Sequence, residues 1–299
     1  MGGGSGRGSR GRRGTGARFG IPKCIPERHR AIISHIRHSI AHCDYRRDDV
    51  TLNWLPFDHV VPMLTYHLKD CHLGCTAVQL PTAHVIADPL LWLRTMTAHK
   101  VTHSWAPNFG FKLVAQAIEK SGSGLTHDLS CVKLLMNAGE QVTAEVCDAF
   151  LRATSLPNHV LQPAFGMAEV CTCMTYNNNY GPASNLRVTK DSVQANDLCV
   201  VTADSVASSG VLGFMDLGPP SPGVEIRICG EDGTTVLRER QVGRFEIRGP
   251  CVMAGYHNHP KANEEAFVGD GWFDSGDLGF IHEGVCRHGV RMPAPGTPS

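Results

Sequence analysis

Three short apolar runs alternate with two amphipathic segments between residues 101 and 161, and this alternation constrains the fold more than any other feature. The apolar runs, Val101–Ser104, Cys131–Met136 and the one that begins at Val160–Leu161, are typical of buried strands. The segments between them, Asn108–Glu119 and Thr143–Arg152, carry apolar residues at helical spacing. The β-α-β-α-β order predicts three parallel strands joined by right-handed crossovers.

Parallel sheets bind ligands beyond the carboxyl ends of their strands. The segments that leave these ends are Ser104–Asn108, Asn137–Gln141 and Phe165–Glu169, and all three are polar, small or aromatic. We therefore expect them to converge on one ligand-binding rim. The alternative is that all three are capping turns without a ligand.

The sequence before residue 101 also predicts both helices and strands. Apolar spacing predicts a helix over Ile32–Cys43, a strand over Val50–Leu55, a helix over Val60–Leu73, and a helix that starts at Asp88-Pro89.

Beyond about residue 185 helical spacing fades, and short β-rich runs alternate with Gly/Pro turns. These runs are Leu198–Val201, Val224–Cys229 and Val242–Arg248. The predicted fold class is α/β, a parallel sheet with flanking helices followed by a small β-rich subdomain. The predicted divisions are a Gly/Arg-rich leader (1–19), the α/β subdomain (20–185), the β-rich subdomain (186–285) and a disordered tail (286–299).

Charge argues against a nucleic-acid partner for the body of the chain. The formal net charge is +0, but residues 1–18 carry five Arg and no acidic residue, so the remainder carries −5. The leader has almost no apolar side chains and cannot form a core, which favours disorder. An RNA-binding arm and a transit peptide are the alternatives.

No apolar run reaches the length of a membrane span, and the twelve Cys are scattered without repeated Cys-x-x-Cys pairs. Scattered thiols are typical of a reducing compartment, so we expect a cytoplasmic protein. One cluster has the composition of a zinc site: His67, Cys71, His72 and Cys75. The alternative, which we favour, is a helix that packs its small Cys side chains into the core with His at the margin.

Several motifs occur in an order that resembles the adenylate-forming superfamily. They are Asn53–His59 (NWLPFDH), Ala106–Phe109 (APNF), Asn137–Glu140 (NAGE), Phe165–Glu169 (FGMAE), Gly243–Gly249 continuing through Tyr256, and Asp274–Asp277 (DSGD). The motif Ala106–Phe109 is similar to one in fatty-acyl-AMP ligases and in loading domains of polyketide synthases. The resemblance extends over roughly residues 20–282.

This resemblance implies ATP-dependent activation of a carboxylic acid as an acyl adenylate. The similarity to fatty-acyl-AMP ligases implies that the acid is a fatty acid. The carboxylate attacks the α-phosphate of ATP and pyrophosphate leaves, so catalysis consists mainly of positioning and charge neutralisation. The implied cofactors are ATP and Mg²⁺. The implied partners are the acid and an acyl acceptor, either a carrier protein or CoA, and no nucleic acid.

The resemblance also assigns roles to individual residues. Glu169 would hold Mg²⁺, and Glu169 and His59 are the candidate catalytic residues, although a lone His59 is equally consistent with a capped loop histidine. The nucleotide would contact Asn137, Ala138, Gly139, Glu140, Phe165, Gly166, Met167, Ala168, Asp277 and Lys23, with Phe165 stacked on adenine and Asp277 on the ribose hydroxyls. The acid would contact Trp105, Asn108 and Phe109, next to His59.

The chain departs from the family pattern in three places. Gly20-Ile-Pro-Lys23 matches the end of the phosphate loop, but the preceding residues lack the expected hydroxyls. Ala168 stands where the family often has a phosphate-binding Thr. Both ends look truncated, and no Lys follows Lys261. We therefore expect a fragment with little or no turnover. The alternative is a non-catalytic nucleotide- or acyl-binding fragment of a larger polyketide or peptide synthase.

Overall fold

The computed structural model describes residues 23–122, 127–201 and 210–287. The predicted leader, the predicted phosphate loop before Lys23, and residues 288–299 of the predicted tail lie outside the described residues.

Six strands form the first sheet. In chain order they are β1 (Val50–Asn53), β2 (Thr76–Gln79), β3 (His103–Ala106), β4 (Leu134–Asn137), β5 (Leu161–Gly166) and β6 (Cys173–Tyr176). Their spatial order is β2-β1-β3-β4-β5-β6, with β1 to β5 parallel and β6 antiparallel to β5. The prediction that β3, β4 and β5 are parallel neighbours is confirmed. Strands β2 and β6 were not predicted.

The helices lie mainly around this sheet. They are α1 (His29–Cys43), α2 (Lys69–Leu73), α3 (Thr82–Ala87), α4 (Leu90–His99), α5 (Asn108–Ser121), α6 (Ala144–Thr154), α7 (Lys190–Gln194) and α8 (Pro260–Ala266). Short 3₁₀ turns span Asn158–Val160, Ala168–Val170 and Pro182–Ser184. The segment predicted as one helix over Val60–Leu73 is instead a π-helix, Val61–Leu68, followed by α2, with non-helical dihedral angles at Tyr66 (φ −113°, ψ 15°).

An aromatic cluster holds the crossover helices together. Trp92 of α4, Phe111 of α5 and Phe150 of α6 are fully buried, and the Phe111 and Phe150 rings meet edge to face with centroids 4.9 Å apart. Trp54, which follows β1, reaches the same cluster through Trp92 at 5.9 Å. Because each crossover helix contributes an aromatic side chain, the amphipathic pattern between residues 108 and 152 is explained by core packing.

Strand β3 begins two residues later than predicted. Lys100 adopts a left-handed conformation (φ 52°), and the N–H of Val101 donates to the carbonyl of Met96 at 3.0 Å. Val101 is thus used in the C-terminal cap of α4, although its apolar side chain suggested a strand. The predicted strand Cys131–Met136 is likewise shifted and appears as β4.

The β-rich part contains two further sheets. Their strands are β7 (Asn185–Thr189), β8 (Val211–Met215), β9 (Glu225–Cys229), β10 (Gly243–Arg248), β11 (Phe267–Val268), β12 (Trp272–His282) and β13 (Val285–Arg287). β7 pairs with β8; the other sheet has the order β11-β12-β10-β9, with β13 added to β12. The predicted runs Val224–Cys229 and Val242–Arg248 are confirmed as β9 and β10. The strand predicted over Leu198–Val201 is wrong: among the described residues this segment forms one isolated bridge, between Val200 and Val188, and the N–H of Leu198 donates to the carbonyl of Arg240.

The sheet of β9 to β13 shares a hydrophobic core with α1 and with the chain after β5. Phe245, Ile247 and Phe273 pack in one cluster with Ala31 of α1 and Val170. The predicted divisions at residues 185 and 285 stay predictions.

None of the helices in the described part of the chain has the length and apolar character that a bilayer crossing requires. Each cysteine side chain that the structure describes is a free thiol, and several of these thiols are buried.

Close packing at the end of β5 generates a first prediction. A Cβ on Gly166 would lie 1.9 Å from the carbonyl oxygen of Thr172 and 2.4 Å from Cα of Cys173. Gly166→Ala therefore forces β5 and β6 apart, and we expect it to destabilise the protein by about 1–3 kcal/mol in denaturant unfolding. Gly269→Ala is the control, because a Cβ there has no neighbour within 4 Å. Equal stability of the two variants would contradict the packing argument.

Candidate functional site

The first two rim segments are joined directly. The side-chain amide of Asn137, at the end of β4, donates to Oδ1 of Asn108 at 3.1 Å. Oε1 of Glu140 accepts a hydrogen bond from the N–H of Phe109 at 2.6 Å, in the first turn of α5. The loop after β4 and the start of α5 are therefore one unit, and the carboxylate of Glu140 caps the helix.

Asn137 is an unusual polar group in this unit. It is fully buried, and its Oδ1 has no hydrogen-bond partner among the described residues. Ala138 is also buried, and Gly139 has a φ of 89°, a conformation that favours glycine. A buried carbonyl oxygen without a donor is costly, so this loop fits a ligand that brings an N–H group.

Trp105, at the end of β3, lies beneath this loop. It is 1% exposed, its indole N–H donates to Oδ1 of Asn53 at 2.8 Å, and a Cβ on Gly139 would touch its ring at 3.9 Å. The ring of Trp105 is stacked between those of His59 and Tyr66, with centroid distances of 6.2 and 6.0 Å. Trp105 thus supports the rim from below and presents little surface to a ligand.

His59 lies on the outer side of this stack. Its Nδ1 is 3.3 Å from the N–H of Val61, which donates to it. Partial burial lowers the pKa of His59, and the nearby charge of Asp58 offsets only part of this effect. Nδ1 accepts a hydrogen bond, so His59 has the features of a capped loop histidine, and its imidazole is neutral at pH 7. Phe109 is 40% exposed and meets Trp54 edge to face.

The third rim segment follows β5. The N–H of Met167 donates to the carbonyl of Thr172 at 3.0 Å, which closes a short loop that contains Ala168 and Glu169. Glu169 is half-buried, and its Oε1 accepts a hydrogen bond from the hydroxyl of Tyr256 at 2.9 Å. Its backbone carbonyl accepts another from the N–H of Met253 at 2.8 Å.

Phe165 links this segment to the strand that carries Asp277. The Phe165 ring meets Phe245 of β10 at 5.5 Å, edge to face. The backbone carbonyl of Phe245 accepts a hydrogen bond from the hydroxyl of Ser275 at 2.8 Å, and the N–H of Asp277 donates to the same hydroxyl at 3.1 Å. The structure thus connects Phe165 and Asp277, which are 112 positions apart in the sequence, through Phe245 and Ser275.

Lys23 joins the same side of the structure. Its ammonium lies 4.5 Å from the ring centroid of Tyr256, and the carbonyl of Cys24 accepts a hydrogen bond from the N–H of His257 at 2.8 Å. Lys23 therefore contacts Tyr256, and Tyr256 in turn contacts Glu169.

Two residues of this site were missed by the sequence reasoning. Tyr256 lies in the Ala254-Gly-Tyr256 motif, which was noted without a role for the tyrosine. Glu27 gave no signal, yet it is half-buried near Glu169. Its Oε1 has no partner in the part of the chain that the structure describes, and its Oε2 accepts a hydrogen bond from the Cys171 thiol at 3.4 Å. Burial raises the pKa of Glu27, and repulsion by Glu169 adds to the rise.

Glu169 and Glu27 carry the type of oxygen ligand that a magnesium ion binds. Mg²⁺ is usually held by one or two protein carboxylates together with substrate phosphates. Glu169 supplies such an oxygen donor, and Oε1 of Glu27, which has no partner among the described residues, is a further candidate. Within residues 23–122, 127–201 and 210–287 no group of three or more His, Cys, Asp or Glu is placed to hold a metal ion.

The zinc alternative therefore finds no support in the described structure. His67, Cys71 and His72 are exposed, and Cys75 is half-buried. The competing expectation that both cysteines pack into the core is wrong for Cys71, because α2 turns its other face, Lys69 and Asp70, inward.

The raised pKa of Glu27 generates a prediction about pH. A carboxyl whose pKa is raised by folding contributes stability below its unfolded pKa and loses that contribution as pH rises through the folded pKa. We therefore expect Glu27→Gln to be more stable than the parent at pH 7.5, with the difference vanishing towards pH 4.5. Thermal unfolding across this range measures it, with the exposed Glu264→Gln as control. A lower Tm for Glu27→Gln at pH 7.5 would contradict the assignment.

The family model described as "AMP-binding enzyme" matches residues 19–257. Among curated proteins, the chain is 30% identical to the nonribosomal peptide synthetase atqA of Aspergillus terreus over 280 residues, which is 92% of this chain and 27% of that protein. It is 28% identical to the atromentin synthetase greA of Suillus grevillei over 287 residues, 93% of this chain and 28% of that protein. The chain thus spans little more than a quarter of the length of these relatives.

Solved structures give the same result. The adenylation domain of a keto acid-selecting NRPS module, bound to keto acyl adenylate, is 32% identical with a TM-score of 0.82, covering 90% of this chain and 50% of that one. A fatty acid AMP ligase from Legionella pneumophila is 23% identical with a TM-score of 0.81, covering 89% of this chain and 47% of that one, and at this identity shows the fold alone. The family match, the parallel sheet and the order of the motifs agree, and the chain belongs to the AMP-binding enzyme family of adenylate-forming proteins.

Proposed function

We propose that this chain is part of an adenylation domain that binds ATP and a hydrophobic carboxylic acid and takes part in forming the acyl adenylate. The observation that carries the proposal is the rim at the carboxyl ends of β3, β4 and β5, where Asn137 keeps a buried carbonyl oxygen without a donor among the described residues. The exocyclic amine of adenine is a ligand group that would satisfy it.

We assign the remaining roles to residues around the same rim. Phe165, half-buried beside Phe245, supplies an aromatic face for the adenine ring. Asp277 supplies a carboxylate that can accept hydrogen bonds from the ribose diol, next to Gly276 with its φ of 77°. Glu140 contributes by fixing the loop through α5, since its Oε1 is already bonded to Phe109. Gly166, Met167 and Ala168 form the backbone of the turn that brings Glu169 to the rim.

Charge neutralisation is assigned to two residues. Glu169 would hold Mg²⁺, which when bound offsets the negative charge of the phosphates. Lys23 places a cation next to Tyr256 and Glu169. Because Ala168 has no hydroxyl, the turn itself offers the phosphates only backbone groups.

The acid would bind near His59, Trp105, Asn108 and Phe109. None of these four is anionic, which favours an acid without an α-ammonium group. A fatty acid fits this description. We also propose a carrier protein or CoA as acyl acceptor and a cytoplasmic location, consistent with the free thiols.

A compact keto acid is the second candidate substrate. Trp105 is fully buried and stacked between His59 and Tyr66, so the space beneath the rim is filled and a long acyl chain has little depth available. The 32% identical adenylation domain bound to keto acyl adenylate agrees with this candidate.

Calorimetry with non-hydrolysable acyl sulfamoyl adenosines tests binding without requiring turnover. We expect the chain to bind these mimics, and Asp277→Asn to weaken binding roughly tenfold or more, since hydrogen bonds to a charged group are lost. Asp270→Asn, an exposed aspartate just before β12, is the matched control. No heat of binding for any mimic, with a normal unfolding transition, would refute the proposal.

Mimics that differ in their acyl group distinguish between the two candidate substrates. Because Trp105 fills the space beneath the rim, we expect an aryl 2-keto acyl mimic to bind more tightly than a decanoyl or an aminoacyl mimic. The opposite order between the first two would favour the fatty acid, and tightest binding of the aminoacyl mimic would contradict both.

A further inference from the structure

Tyr256 makes a contact that the roles above do not use. Its hydroxyl donates to Oε1 of Glu169 at 2.9 Å, and the tyrosine is 6% exposed. Within the described residues nothing donates a hydrogen bond to Oε2 of Glu169. One oxygen of the carboxylate is therefore held by the protein, while the other keeps its full capacity to accept a ligand.

The backbone around Glu169 is fixed by the same loop that carries Tyr256. Met253 bonds the carbonyl of Glu169 at 2.8 Å, and the thiol of Cys171 points to the carbonyl of Cys251 at 3.6 Å. One backbone hydrogen bond and one contact between a sulfur and a carbonyl oxygen thus accompany the tyrosine bond. The segment after β10 therefore acts as a clamp on Glu169.

The clamped segment contains a strained turn. Cys171 has φ 70° and ψ −71°, and the N–H of Thr172 donates to the carbonyl of Val170 at 3.0 Å. These values define a γ-turn of the rare, strained kind. Such a conformation persists where its surroundings over-determine it, and it is frequent at ligand sites.

Tyr256 is itself well suited to act as a permanent donor. Its phenol hydroxyl has a single hydrogen to donate, and Oε1 of Glu169 accepts it at 2.9 Å. The ammonium of Lys23 lies over the ring of Tyr256, 4.5 Å from its centroid. The tyrosine therefore contacts a cation with its ring and a carboxylate with its hydroxyl.

We propose that Tyr256 is a positioning residue that occupies Oε1 of Glu169 and so presents Oε2 to the divalent cation that accompanies the nucleotide. This inference rests on the proposed function. It predicts that Tyr256 acts on metal binding through Glu169, without touching the nucleotide.

The test measures metal affinity directly. Mn²⁺ titrations of the full chain with saturating ATP, followed by electron paramagnetic resonance, give the Kd for the metal. We expect Tyr256→Phe to raise this Kd roughly 10–100-fold, as is common when an outer-shell partner is removed. Calorimetric affinity for the metal-free acyl sulfamoyl adenosine should change less than about twofold, as expected for a residue that acts only through the metal.

Tyr180→Phe is the matched control. Tyr180 is also a buried tyrosine, and its hydroxyl donates to Oδ1 of Asp148 at 2.6 Å, outside the clamp. We expect this variant to leave the Kd for Mn²⁺ unchanged. An equal effect of the two substitutions would overturn the proposal, since it would indicate a general response to the loss of a buried hydroxyl.

A double-mutant cycle tests whether Tyr256 acts through Glu169. Glu169→Gln should weaken Mn²⁺ binding, and adding Tyr256→Phe should weaken it no further. Independent, multiplying effects would overturn the positioning role. Should Tyr256→Phe fail to fold, Tyr256→His serves instead, because its shorter side chain removes the hydroxyl donor and leaves the Glu169 ligand unchanged. Full Mn²⁺ affinity in Tyr256→His would also overturn the proposal.

The outcomes separate the two claims. Binding of the mimic without any effect of Tyr256→Phe on Mn²⁺ affinity overturns the positioning role and leaves the proposed function intact. A wild-type chain that folds but binds neither ATP nor the mimic overturns the proposed function, and the positioning role with it.

Discussion

The clamp of residues 251–256 on Glu169 is the interaction on which the site depends. It joins the first sheet, through the loop after β5, to the sheet that carries Asp277. A hydrogen bond between a buried hydroxyl and a carboxylate contributes about 1.5–3 kcal/mol, which is comparable to the cost of a strained turn such as that at Cys171. Without the clamp, the side chain and the backbone carbonyl of Glu169 would each lose a hydrogen bond. The clamp therefore holds the carboxylate and joins the two sheets at this point.

The other side of the rim is fixed by different means. Asn137, Asn108 and Glu140 are joined by hydrogen bonds, and Trp105 supports them from beneath. These contacts are all made between the ends of adjacent strands and the helix that follows β3. The parallel sheet itself thus builds one half of the site, while long-range contacts build the other half.

This division explains how much could be predicted from the sequence. The strands β3, β4 and β5 and their helices have clear periodic patterns, and the convergence of their loops follows from parallel topology. Strand boundaries were less predictable. Val101, for example, lies in the C-terminal cap of α4, although its apolar side chain is equally typical of a strand. The edge strand β2 is largely exposed, and its residues therefore lack the apolar run that marks a buried strand.

Contacts between distant residues were beyond the sequence. Glu27 and Cys171 are 144 positions apart, and Tyr256 and Glu169 are 87 apart. Nothing in local spacing indicates that such residues meet, although the Ala254-Gly-Tyr256 motif marked the right segment. The π-helix at Val61–Leu68 was missed for a related reason, since its apolar pattern is compatible with an ordinary helix.

A crystal structure of the chain with a non-hydrolysable acyl adenylate tests the central claim most directly. The account predicts adenine between Phe165 and the loop from Asn137 to Gly139, with its exocyclic amine on Oδ1 of Asn137 and the ribose hydroxyls on Asp277. Ligand density elsewhere would contradict it, for example in the cavity of about 370 Å³ at the opposite end of the strands, which His103, Lys133 and Arg46 help to line.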